Sequence, residues 1–122
     1  MSKQDIEKSR EMMKLAVRAL ENKKGEDIRV LDISEVSTLG DYFVIASGAS
    51  APQLDALRDE TVETLSRAGY EPRSVEGSDH AKWVLIDFGD VIVHIFDREN
   101  RIFYDLERIW RDGKPVDPEK CK

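Results

Sequence analysis

The sequence is poor in the residues that build covalent or metal-bound frameworks. Its 122 residues include one cysteine, Cys121, and two histidines, His80 and His94. A lone cysteine in a polar tail excludes an internal disulfide, and distant histidines without Cys or Glu at ligand spacing argue against structural zinc. We therefore expect neither a metal nor a cofactor, and a reducing compartment is the simplest setting.

Long apolar runs and excess positive charge are also missing. No apolar run approaches the roughly 18 residues of a membrane span, and the first five residues lack a signal-peptide core. Asp and Glu number 25 against 19 Lys and Arg, a formal net charge of −6 at pH 7. We expect a cytoplasmic protein without membrane contact. Acidic surfaces are repelled by phosphate backbones, so a basic protein is a better partner than nucleic acid.

Motifs of nucleotide chemistry are absent as well. Gly48 lies between a predicted strand and a helix, but neither G-x-G-x-x-G nor a P-loop lysine accompanies it. The pattern predicts an ordinary helix start, with Ser50 as N-cap and Gln53 as its capping-box partner. Asp87 and His94 fall on one strand face and resemble a base and its orienting group, yet no nucleophile joins them. We predict a protein without catalytic residues.

The apolar pattern that is present predicts one α/β domain. Helical spacing covers residues 2–24 and 50–68, with Gly25 as a C-cap, and apolar runs predict strands at 28–33 and 42–46, the second of them central. Residues 70–82 are predicted to form a polar surface loop, and residues 102–110 a short helix. We place the domain at residues 1–112 and a flexible tail at residues 113–122.

A β-hairpin over residues 83–97 is the most informative segment. Gly89-Asp90 is a two-residue turn signal of type I′ or II′ that sets Phe88 opposite Val91. Strand alternation then divides the side chains between two faces. The first face is wholly apolar: Val84, Ile86, Phe88, Val91, Val93 and Ile95. The second face mixes apolar and polar groups: Trp83, Leu85, Asp87, Ile92, His94 and Phe96.

The mixed face has two interpretations. It is too apolar for a solvated surface and too polar for an ordinary core. In one interpretation a helix covers it, and Asp87 and His94 find hydrogen bonds beneath that helix. In the other it binds a partner through an aromatic anchor and orienting polar groups, and Tyr104, Glu107 and Trp110 extend the patch.

Four segments carry a resemblance to a known family. They are residues 41–48 (DYFVIASG), 75–77 (VEG), 83–96 (WVLIDFGDVIVHIF) and 103–110 (FYDLERIW). Their order and sequence resemble the ribosomal silencing factor (Iojap-related) family over nearly the whole chain. The resemblance implies a mixed β-sheet flanked by helices, similar to a nucleotidyltransferase core. That fold alone does not imply catalysis.

The resemblance also implies a function. Family members bind the fourteenth protein of the large ribosomal subunit and repress translation by sterically blocking association with the small subunit; they tend to form homodimers. Carried onto matching positions, the partner-binding role falls to seven residues: Trp83, Asp87, Asp90, His94, Tyr104, Glu107 and Trp110. Two alternatives remain open, an adaptor in large-subunit assembly and a nucleotide-binding enzyme using the Gly48 turn. If the mixed face serves self-association too, dimer and ribosome complex would compete.

Overall fold

Six strands and two helices account for most of the chain in the computed structural model, which describes residues 3–34, 41–77, 83–97 and 114–116. The helices are α1 (Lys3–Asn22) and α2 (Ala51–Arg67). The strands are β1 (Glu26–Asp32), β2 (Tyr42–Gly48), β3 (Ser74–Glu76), β4 (Trp83–Asp87), β5 (Val91–Asp97) and β6 (Lys114–Val116). The predicted helix over residues 102–110 lies outside the described residues.

The strands form one mixed sheet in the order β3-β4-β5-β2-β1-β6. β2 and β5 are parallel, as a connection through α2 requires, and the other described pairs are antiparallel. β2 lies between β5 and β1, and all seven of its residues are buried. The predictions of an α/β fold with a mixed sheet, and of a central strand at residues 42–46, are confirmed.

One face of the sheet packs against both described helices. The apolar sides of α1 and α2 pack against the apolar hairpin face and form a single core with it. This core includes Met13, Leu20, Leu57, Val84 and Ile95. Each such side chain stabilises the fold by about 1.5–3 kcal/mol when it is removed from water. The apolar hairpin face therefore belongs to the core, as its composition predicts. No helix of the described part combines the length and the apolar character that crossing a bilayer requires.

The two helices are joined at their ends. Gly25 N–H donates to the Leu20 carbonyl and Lys24 N–H to that of Glu21, a Schellman arrangement with the left-handed residue at Lys24 (φ 60°). The C-cap role predicted for Gly25 is therefore taken by Lys24, one residue earlier. At α2, Ser50 Oγ accepts from Gln53 N–H, which confirms the predicted cap. Gln53 Nε2 also donates to the Lys24 carbonyl at 2.9 Å, so this residue fastens the end of α1 to the start of α2.

The hairpin has the predicted register. Phe88 N–H donates to the Val91 carbonyl at 2.9 Å, and β4 and β5 pair from Trp83–Phe96 to Asp87–Ile92. Gly89 has φ +93°, whereas Asp90 does not have a positive φ. A positive φ at the first central residue alone is typical of type II′, one of the two predicted turns.

Two short strands form where the sequence predicts none. β3 forms within the predicted loop at residues 70–82, where all three of its residues are exposed and give no apolar alternation. β6 forms within the predicted tail and pairs with β1, with Pro115 opposite Leu31. Proline is tolerated because β6 is an edge strand. The expectation of a flexible tail is therefore wrong for residues 114–116.

Candidate partner-binding surface

The second face of the sheet carries the candidate site. Residues that stand directly opposite in antiparallel strands share a face, so the pairing places Glu76 beside Leu85, and Ser74 beside Asp87. None of the described helices packs in the core cluster on this side. Burial decreases from β5 towards the β3 edge. We call its more exposed part the β3–β4 surface; it comprises Ser74, Glu76, Trp83, Leu85 and Asp87.

Trp83 is held in a fixed position although the residue is 38% exposed. Its ring lies nearly parallel to that of Phe96, with 5.8 Å between centroids. Its Nε1–H donates to Nδ1 of His94 at 3.3 Å. Phe43 meets the His94 ring edge-on, with 4.8 Å between centroids. Aromatic contacts and one hydrogen bond therefore present an ordered indole to solvent, and such pre-ordering lowers the entropic cost of binding.

His94 is buried, with 5% of its surface exposed. Burial lowers its pKa from 6.5 to about 4, so the ring is neutral near pH 7. Because Nδ1 accepts from Trp83, the ring proton is assigned to Nε2, and this buried atom has no hydrogen-bond partner in the described part of the chain. His94 lies on β5 between β4 and β2 and supports Trp83 from beneath, and its predicted contact with a partner stays a prediction.

Asp87 has a role in the hairpin turn. Its Oδ1 accepts from the backbone N–H of Gly89 at 2.7 Å, and the side chain is partly buried. This bond fixes the turn residue that follows β4. The hydrogen bonds of Asp87 and His94 lead to different partners, Gly89 and Trp83, so the structure does not pair them as a base and its orienting group.

Asp90 is exposed but lies at the far end of the hairpin from Trp83. At about 3.3 Å per residue, the strand between them is roughly 20 Å long. The Asp90 carbonyl accepts from Asp41 N–H at 2.7 Å and from Tyr42 N–H at 3.1 Å, which joins the turn to the start of β2. The structure thus places Trp83 and Asp87 on one surface and Asp90 beyond it. The predicted contacts Tyr104, Glu107 and Trp110 lie outside the described residues.

Glu76 is the charged residue of this surface that was not predicted as a partner contact. It stands opposite Leu85, between the β4 positions of Trp83 and Asp87, and it is exposed. The segment 75–77 belongs to the family pattern, but three exposed residues do not reveal a strand. Only the pairing of β3 with β4 shows which face Glu76 occupies.

The turn after β2, where a nucleotide phosphate would bind, is occupied by the protein's own contacts. Ala49 N–H donates to Oε1 of Gln53 at 2.6 Å, and Gln53 N–H donates to Ser50 Oγ. A Cβ at Gly48 would lie 2.9 Å from Leu54 Cδ2, so this glycine allows α2 to pack closely on β2. These contacts are those of a capped helix start.

The fold and the surface define a mixed α/β domain whose candidate site is an acidic, aromatic sheet face. Among the described residues, no group of three or more His, Cys, Asp or Glu side chains could hold a metal ion. The chain belongs to the ribosomal silencing factor family. A family model described as "Ribosomal silencing factor during starvation" matches residues 6–122. That match extends through the segment we expected to lie outside the domain, at residues 113–122.

Individual relatives agree with this assignment. A protein named ribosomal silencing factor from Halalkalibacterium halodurans is 38% identical over 111 residues, covering 91% of this chain and 95% of the relative. A crystal structure of a Chromobacterium violaceum protein is similar with a TM-score of 0.81 and 40% identity, covering 87% of this chain and 88% of that one. A mouse protein named "Mitochondrial assembly of ribosomal large subunit protein 1" is 31% identical over 99 residues, covering 79% of this chain and 43% of that protein.

Proposed function

We propose that this protein is a cytosolic, non-enzymatic translation repressor. It binds the large ribosomal subunit through that subunit's fourteenth protein and sterically blocks association with the small subunit. Family membership supports the coarser statement, a ribosome-associated regulator of translation. The main support for the docking site is the exposure of the Trp83 indole, which Phe96 and His94 hold in place beside acidic residues.

Charge favours a basic protein partner over RNA. The net charge is −6, and the charged members of the β3–β4 surface, Glu76 and Asp87, are both acidic. Ribosomal proteins embedded in RNA are rich in Lys and Arg, so complementary fields accelerate the encounter. Trp is one of the residue types enriched among the central anchors of protein interfaces. The indole thus provides affinity, and the carboxylates provide orientation.

A subunit-joining assay tests the proposal. Purified subunits are mixed with increasing amounts of the protein at a magnesium concentration that supports joining, and the products are separated on a sucrose gradient. We expect the joined fraction to fall and the protein to comigrate with free large subunits. Unchanged joining at saturating protein would reject the proposal.

The name of the mouse relative favours a second candidate, an adaptor in large-subunit assembly. Precursor particles in a deletion strain distinguish the two functions. A repressor of joining predicts normal precursor levels, whereas an adaptor predicts that large-subunit precursors accumulate. For the less favoured nucleotide-binding enzyme, calorimetry with common nucleotides and magnesium is expected to give a flat titration.

Self-association through the same face is part of the proposal. If a homodimer uses the β3–β4 surface, Trp83 would be buried in the dimer and unavailable to the ribosome, so the two complexes would compete. Sedimentation with increasing amounts of large subunits is then expected to convert dimer into a one-to-one complex. A bound stoichiometry of two would contradict this competition.

A further inference from the structure

We propose that Glu76 completes the partner-binding site, where it and Asp87 accept hydrogen bonds from one arginine of a basic partner protein whose side chain lies against the Trp83 indole. This inference rests on the proposed function. Glu76 is then a specificity-determining residue on a strand separate from that of Trp83 and Asp87, and the chemical group that the surface recognises is a guanidinium.

The sheet register brings the three groups together around Leu85. Glu76 stands directly opposite Leu85, while Trp83 and Asp87 are two positions away on the same face of β4. Diagonal neighbours in an antiparallel pair are about 7–8 Å apart at the backbone, within reach of long side chains. Leu85 is partly buried and forms an apolar floor between the carboxylates and the ring.

In the part of the chain that the structure describes, the Glu76 side chain does not take part in holding the fold together. It is exposed on a three-residue edge strand, and within the described ranges its carboxylate makes no hydrogen bond or ion pair. Other exposed carboxylates do have partners: Glu63 pairs with Arg67 at 2.6 Å, and Asp59 pairs with Arg58 at 3.1 Å. Arg73, which precedes β3, lies against Gly89 at the hairpin turn. Glu76 is therefore available to a cation from outside.

The composition of the site fits arginine best. A guanidinium is planar, presents five donors in a fixed fork and stacks on aromatic rings, so it can contact two carboxylates and an indole at once. Its methylene stem can lie on Leu85 while its charged end remains at the edge. Lysine offers a point charge with less directional bonding, and an RNA phosphate would be repelled by both carboxylates.

His94 lies beneath the same part of the surface. It stands opposite Leu85 on β5, as Glu76 does on β3. Its Nδ1 accepts from the Trp83 indole and holds the ring in place, so the aromatic surface on which the arginine would stack is ordered before binding.

Conservative variants test the inference in the full-length chain. Glu76→Gln and Asp87→Asn each remove one negative charge and retain a carbonyl oxygen. Glu21→Gln is the matched control, because it removes the same charge from an exposed position on α1, which packs on the opposite face. Dissociation constants for purified large ribosomal subunits are measured at low and at physiological salt. Melting midpoints verify that the variants are folded.

We expect Glu76→Gln to raise the dissociation constant about tenfold and Glu21→Gln to change it less than about twofold, since only a direct contact exceeds the general effect of charge. Because Glu76 and Asp87 bind the same cation, the double variant is expected to lose less than the product of the two single losses. The difference between Glu76→Gln and the wild type is expected to shrink at higher salt.

Each outcome has a defined meaning. If the wild type does not bind large subunits, both the proposed function and this inference are rejected. If the wild type binds and Trp83→Ala weakens binding while Glu76→Gln behaves like Glu21→Gln, only the inference is overturned. If the double variant raises the dissociation constant by the full product of the two single effects, Glu76 and Asp87 do not bind one shared arginine. Tighter binding by Glu76→Gln would indicate a phosphate at this position and would also overturn it.

Discussion

The indole N–H of Trp83 donates a hydrogen bond to Nδ1 of His94, 3.3 Å away across the β4–β5 ladder. The contact joins a residue that is 38% exposed to one that is 5% exposed. It requires a free lone pair on Nδ1, so His94 must be neutral for Trp83 to keep its position. The orientation of the candidate anchor therefore depends on a buried group that can titrate.

Acid is expected to destabilise the protein through His94. Burial lowers the pKa of His94 in the folded state to about 4, whereas the unfolded chain protonates near 6.5. The unfolded state therefore binds the proton first as pH falls. Stability is unaffected by His94 above about pH 6.5 and decreases from there to about pH 4, by roughly 3 kcal/mol in total.

Comparison with His94→Gln isolates this effect. Glutamine keeps an acceptor for Trp83 but does not titrate, and all other ionisable groups are unchanged. The free energy of unfolding is measured with urea at about pH 7.5 and about pH 5. We expect the wild type to lose more stability than the variant over this interval. Equal losses would show that His94 is not the group responsible.

Replacing Trp83 by alanine is expected to weaken large-subunit binding by about 2 kcal/mol or more, as for a central aromatic anchor. Val75 offers a control, because it is also an apolar residue with a large exposed fraction, 43%. Val75 pairs with Ile86 and so lies on the helix-covered face. Val75→Ala should leave the dissociation constant unchanged. Equal effects of the two substitutions would remove Trp83 from the proposed site.

The register of the hairpin could be predicted because it depends on local signals. Gly89-Asp90 fixes the turn, and strict alternation then assigns every side chain from Trp83 to Phe96 to a face. The burial of His94 could not be predicted in this way. Alternation tells which face a residue occupies, whereas its exposure depends on the strands beside it, here β4 and β2.

The two edge strands, β3 and β6, could not be predicted from the sequence for a related reason. β3 is fully exposed, and β6 contains a proline, so neither has the alternating apolar pattern of a half-buried strand. Each forms because it pairs with another strand, β3 with β4 and β6 with β1, and its own residues do not reveal that pairing. The position of Glu76 beside Leu85 follows only from that pairing. The sequence thus predicted Trp83 and Asp87 on one face but not the acidic neighbour that frames them.

Removal of the Ser9 hydroxyl is expected to destabilise the fold by about 1–2 kcal/mol. Ser9 Oγ donates to Oδ2 of Asp41 at 2.6 Å, and both residues are buried. Ser9→Ala would leave that buried carboxylate oxygen without this donor, which costs more than the loss of an exposed bond. Ser66→Ala is the control, since Ser66 makes the same type of bond to Glu71 at an exposed position. Urea unfolding should show the larger loss for Ser9→Ala; similar losses would contradict the assigned cost of burial.

A methyl group at Gly77 is expected to disturb both the β3–β4 edge and partner binding. Gly77 has φ +104°, and a Cβ there would lie 2.7 Å from the Trp83 carbonyl oxygen and 3.1 Å from Val84 Cα. Gly69 has a similar φ of +95° but no atom within 4 Å of such a Cβ. Gly69→Ala therefore carries only the backbone cost, about 1 kcal/mol, whereas Gly77→Ala adds a clash with backbone atoms of β4.

The two alanine variants separate backbone strain from displacement of β3. We expect Gly77→Ala to be less stable than Gly69→Ala by roughly 1–3 kcal/mol, the usual range for overpacking. Large-subunit binding should weaken in Gly77→Ala alone, because the clash moves Glu76 away from Trp83 and Leu85. Unfolding curves and dissociation constants are measured on the same preparations, below the temperature at which either variant melts. If Gly77→Ala is destabilised but binds like Gly69→Ala, the position of β3 does not matter to the partner.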